Sequence, residues 1–74
     1  MSEQTNDLNK LVTIAADFGL SVKLRTEAIE QIGTIGTYDA LLALLGLAAN
    51  EKLSKEEREL TLKYAKKIIK SEPS

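Results

Sequence analysis

The residues best suited to chemistry are a pair of glycines, a row of lysines and a few scattered carboxylates. Gly33 and Gly36 sit in the stretch IGTIGTYDALLALLGLAA, residues 32–49. Glycines this close can turn backbone amides onto a phosphate. A P-loop, however, needs a lysine after its last glycine and a strand before the loop. Thr37 follows Gly36, and no alternating strand pattern precedes it. Lys63, Lys66, Lys67 and Lys70 fall within an arc of about 100° on one predicted helix, opposite Leu60, Tyr64, Ala65, Ile68 and Ile69. Such a strip suits an acidic protein or a phosphate backbone. It contains no arginine and no interleaved aromatic, so it reads first as a solvated face whose lysines complement the helix dipole.

The carboxylates Glu27 and Glu30 lie on the polar side of a second predicted helix, and no pair of them is held in a cleft. Arg25 has no identifiable nucleophile or base beside it, which catalytic use of it would need. The chain has no cysteine and no histidine. Thiolate nucleophiles, disulfides, imidazole acid–base chemistry and cysteine or histidine metal sites are thereby excluded. The expectation is a protein without catalysis and without a cofactor or resident metal.

At 74 residues the chain is a single domain, near the size at which one core is only marginally self-sufficient. It is 43% hydrophobic and 28% charged, which is globular rather than disordered composition. The net charge of −1 gives no general attraction to nucleic acid or to acidic membranes, so nucleic acid is disfavoured as a partner. The polar start MSEQTNDLNK lacks an apolar signal core, and the longest apolar run, Ala40 to Ala49, is about half a membrane span. A cytoplasmic protein that does not enter the membrane is expected.

Four helices are needed to position these residues, over about 6–18, 22–35, 38–49 and 55–70, with residues 1–4 and 71–74 as frayed tails. Thr5 or Asn6 can cap the first, whose stripe is Leu8, Leu11, Val12, Ala15 and Phe18, with Gly19 as a left-handed terminator. Ser21 can cap the second, which carries Val22, Leu24, Ala28, Ile29, Ile32 and Ile35 and closes at Gly36. Thr37 can cap the third. Ser54-Lys55-Glu56-Glu57 fits a capping box at the start of the fourth. Helices of this length joined by short turns make antiparallel neighbours, so the fold expected is all-α, with four helices in two antiparallel hairpins.

The run Leu24-Arg25-Thr26-Glu27-Ala28, then Ile32-Gly33-Thr34-Ile35-Gly36, then Ala40-Leu41 and Leu44-Leu45 resembles a short bacterial HEAT repeat of the PBS-lyase type. The resemblance is clearest over Leu24–Leu45, and it implies that Arg25 is a structural residue bonding near the turn within the repeat, with Asp17 as its expected partner. A second copy read from Ala65 and Ile69, against Ala28 and Ile32, lies 37 residues on, with Leu62 in the arginine position. Ile-Gly-Thr-Ile-Gly also satisfies the I-G-x-x-G core of a KH-type RNA-binding loop. That loop needs flanking strands and basic neighbours, which are missing here. The glycines are packing and turn residues: Gly33 brings two helix axes close, and Gly36 supplies a positive φ.

The HEAT resemblance implies partner binding through aligned helices, and hence a fragment of an α-α superhelix acting as a protein-interaction or scaffold module. In the third helix, Ala40, Leu41, Leu44, Leu45 and Ala48 form the expected core arc. Tyr38, Leu42, Ala43, Gly46 and Leu47 then remain as an apolar face for a protein partner or a second copy of the chain, making a homo-oligomer. The alternatives are binding of nucleic acid or an acidic partner by the lysine strip, and a small structural subunit of a larger complex. Tyr64 belongs to the core arc, and Tyr38 is the better surface aromatic.

Overall fold

The computed structural model describes the backbone of residues 3–71 and the side chains of residues 7–71. It contains four helices, α1 (Glu3–Ala15), α2 (Val22–Ile35), α3 (Tyr38–Ala48) and α4 (Lys55–Ser71), and no strand among the described residues. Three of the starts follow from their caps. Ser21 Oγ accepts from the Leu24 N–H at 3.2 Å, and Thr37 Oγ1 accepts from the Ala40 N–H at 3.1 Å. At α4 the capping box is complete: Ser54 Oγ accepts from the Glu57 N–H at 3.1 Å, while Glu57 Oε1 accepts from the Ser54 N–H at 3.0 Å. Gly36 has φ 69° and ends α2 in the left-handed conformation.

The first helix departs from expectation at both ends. It begins at Glu3, so Thr5 and Asn6 lie inside it, as do residues 3 and 4 of the expected tail. Ser71 likewise extends α4, while residues 1, 2 and 72–74 lie outside the described ones. α1 stops at Ala15 because an aspartate turn takes over: the Asp17 N–H bonds the Ile14 carbonyl and the Gly19 N–H bonds Asp17 Oδ1 at 2.9 Å. Gly19 therefore has no positive φ, and Phe18 is exposed beyond the helix end.

The same turn recurs after α3, bond for bond. The Asn50 N–H bonds the Leu47 carbonyl, the Lys52 N–H bonds Asn50 Oδ1 at 3.0 Å, and the Leu53 N–H bonds the Asn50 carbonyl as Leu20 bonds Asp17. The caps Ser21 and Ser54 fall at equivalent places, 33 residues apart. Written at that displacement, LNKLVTIAADFGLSVKLR (8–25) lies over LLALLGLAANEKLSKEER (41–58), with leucines, the Ala-Ala pair, the serine and the arginine in register. The internal repeat is thus 33 residues, not 37. The shorter displacement aligns Ala28 with Thr61 and Ile32 with Ala65, all four of them buried.

α1 packs chiefly on α2, and α3 on α4. α2 also touches both α3 and α4, whereas α1 approaches α3 but not α4 among the described residues. The core gathers Leu8 and Ala15 of α1, Ala28, Ile29 and Ile32 of α2, Ala40, Leu44 and Leu47 of α3, and Ala65 and Ile68 of α4. Leu53 of the second turn closes it. Gly33 is required where α2 meets α4: a Cβ there would lie 2.6 Å from the Tyr64 ring. Thr61 is fully buried on α4, and its hydroxyl is satisfied by the Arg58 carbonyl at 2.6 Å.

Candidate functional site

α3 is apolar nearly all round, so its sequence does not define which side faces inward. Its buried line is Ala40, Leu44 and Leu47. Relative to the expected arc this is a rotation of about 60° about the helix axis, taking 100° per residue. Leu47, expected on the open face, is only 4% exposed and belongs to the core. Ala43 is half-buried against the core. Leu45 moves the other way, from the expected core to the surface, and Leu41 and Ala48 are half-buried.

Tyr38, Leu42 and Gly46 are exposed as expected, and a Cβ on Gly46 would meet nothing within 4 Å. The outer row is therefore Tyr38, Leu42, Leu45 and Ala49, at spacings of four, three and four, which place them along one side of the helix. The sequence contained the signal, since these positions form one stripe as regular as the buried one. Nothing local says which stripe is inside.

α4 also exposes apolar residues. Its inner side meets α2 through Tyr64 and Glu57, and its buried line continues through Thr61 to Ala65. Leu62 and Ile69 follow next around the helix, turned away from α2. Both are exposed, although Ile69 was expected in the core arc. Lys63, Lys66, Lys67 and Lys70 are exposed as expected, and with Leu62 and Glu59 they line a shallow groove of about 380 Å³. Lys67 also stands over the half-buried Tyr64 ring, 5.3 Å from its centroid.

Arg25 pairs with Glu57, not with Asp17. Its Nη2 lies 3.4 Å from Glu57 Oε2, and both side chains are buried. The guanidinium also stacks over Phe18 at 4.8 Å. Asp17 is committed instead to the turn amide of Gly19. The Arg25–Glu57 pair joins α2 to α4. No group of three or more acidic residues that could hold a metal occurs among the described residues. No helix among them is long and apolar enough to cross a membrane. Comparison with known proteins finds no matching family model, no matching curated protein and no matching solved structure.

Proposed function

We propose that this protein is a cytoplasmic, non-catalytic protein-interaction or scaffold module built from two HEAT-like helical hairpins. The observation that carries this reading is the exposed row Tyr38, Leu42 and Leu45 on α3, continued by its cap Ala49, together with exposed Leu62 and Ile69 on α4. Each large apolar side chain left in water forgoes up to about 2 kcal/mol of burial. A row of them on a rigid helix is what a protein partner covers. The composition supports the absence of catalysis, since it offers neither thiol nor imidazole and the carboxylate at Glu57 is taken up by a cap and an arginine.

The test is site-specific crosslinking in the source cell, with a photoreactive amino acid at position 42 or 45 and a control at exposed Lys52. Protein adducts confined to positions 42 and 45 are expected. Equal labelling from position 52, or no adduct at all, removes the reading. The basic groove of α4 favours a second reading, binding of a phosphate backbone. There, affinity for a single-stranded oligonucleotide should fall steeply with salt and vanish when Lys63, Lys66, Lys67 and Lys70 are all changed to glutamine.

A further inference from the structure

The 33-residue repeat gives each helix pair two sides, one turned toward the other pair and one turned away. A twofold relation between the pairs would make the α1–α4 and α2–α3 contacts equivalent. α2 touches α3, and α1 does not reach α4 among the described residues. The pairs are therefore stacked in the same sense, the front of the first against the back of the second. Such a stack leaves an open front on the second pair and an open back on the first.

Burial at equivalent positions identifies both open sides. On the front, Ile29 is fully buried but its equivalent Leu62 is 41% exposed, and half-buried Val12 gives way to exposed Leu45. On the back the order reverses. Glu57 is buried but its equivalent Leu24 is 47% exposed, and half-buried Leu60 and Tyr64 correspond to exposed Glu27 and Gln31. Leu24 also lines a groove of about 430 Å³ with Leu11 and Ile14, rimmed by Glu27, Glu30 and Gln31.

We propose that the open α3–α4 front docks on the open α1–α2 back of a second copy, repeating the internal interface between chains. This rests on reading the protein as an interaction module and names its partner. Moved by 33 residues, the Gly33–Tyr64 contact becomes Lys66 against Gln31, and the Arg25–Glu57 pair becomes Arg58 against Leu24. The cleft that holds Val22 and Thr26 with Glu56 and Leu60 becomes Lys55 and Glu59 with Lys23 and Glu27, a charged set of two lysines and two glutamates. The front carries Lys55, Arg58 and Lys66 against Glu59, and the back carries Glu27 and Glu30 against Lys23, so the front is net basic and the back net acidic. Front-to-front pairing sets like charges together, so charge selects head-to-tail docking. Head-to-tail contacts of this kind do not close into a dimer but continue into longer assemblies. The footprint of two short helices, roughly 20 Å by 20 Å, is at the small end for a stable interface, so association is weak and rises with concentration.

Analytical ultracentrifugation up to about 1 mM tests this, the concentration at which an association with a Kd of about 1 mM half-forms. Wild type should grow with concentration past the dimer. Leu62→Glu, a front variant, and Leu24→Lys, a back variant, should each stay monomeric while keeping the helical circular dichroism. Their equimolar mixture should form a heterodimer and nothing larger, since one intact front and one intact back remain. A second set uses exposed charges alone: Lys55→Glu on the front and Glu27→Lys on the back should each weaken association several-fold, and added salt should weaken the wild type in the same direction. Wild type that stays monomeric overturns the proposal, as does a Leu24→Lys variant that associates normally or a mixture that does not pair. A crosslink from position 42 or 45 to a different protein, with a monomeric wild type, overturns the stacking while leaving the interaction reading in place.

Discussion

Glu57 shows how much one side chain can hold in a small core. One oxygen completes the α4 capping box and the other faces Arg25 at 3.4 Å, with both residues buried. A buried ion pair contributes little net stability over an apolar pair, yet removing one partner strands the other charge, at about 3–5 kcal/mol. Glu57→Ala should therefore destabilise by about that amount in urea denaturation. Glu57→Gln should cost clearly less, since its amide oxygen can still accept from Ser54. Equal losses in the two variants would mean that the loss comes from the ion pair and that the capping bond adds nothing to it. Gly33 is held by sterics rather than charge. Alanine is the better helix former by about 1 kcal/mol, but its Cβ would lie 2.6 Å from the Tyr64 ring. Overpacking of this kind costs about 1–3 kcal/mol, so Gly33→Ala should destabilise, and adding Tyr64→Leu should recover part of the loss. A Gly33→Ala protein more stable than wild type would show that α2 and α4 do not meet as closely as described.

At the scale of elements, what was legible in the sequence is what is decided locally. Ser21, Thr37 and the Ser54–Glu57 box mark helix starts because a cap bonds amides two or three residues away, and Gly36 marks a stop through its own φ. The end of α1 was not legible as such, since Asp17 offers its side chain to the turn in competition with continued helix, and Gly19 drew the boundary three residues too far. The rotation of α3 was hidden for a different reason. Asp39 is the one polar residue from Tyr38 to Ala48, so the orientation is set by which neighbours α3 packs on, not by its own pattern. Truncation distinguishes the two leucine rows. Leu47→Ala should cost about 2–5 kcal/mol by opening a cavity, whereas Leu45→Ala should stay within about 0.5 kcal/mol in the monomer. The reverse order in thermal melts would restore the orientation inferred from the sequence and remove Leu45 from the candidate surface.

For the molecule as a whole, the repeat is half legible in the sequence: the spacing of Ala28 and Ile32 points to Ala65 and Ile69, whereas the structure matches them to Thr61 and Ala65. The alignment turned on Thr61, a polar residue in a fully buried alanine position, whose hydroxyl bond to Arg58 hides it from an apolar count. The corrected register explains why one pair cannot stand alone. A pair spans about 30 residues, below the roughly 40 at which an unassisted core becomes viable. Ile29 and Ile32 of α2 are fully buried in the common core, and α2 touches both helices of the other pair. The two pairs should therefore unfold as one unit. The chain has no tryptophan and two tyrosines, Tyr38 exposed on α3 and Tyr64 against Gly33 at the α2–α4 contact. In a Tyr38→Phe variant, tyrosine fluorescence reports that contact alone, while far-ultraviolet circular dichroism reports all four helices. Urea transitions followed by the two probes should coincide in midpoint and steepness, as two-state unfolding requires. A fluorescence change that precedes the loss of helix would mean the pairs separate before they melt, and that α2 does not bind them into one cooperative core.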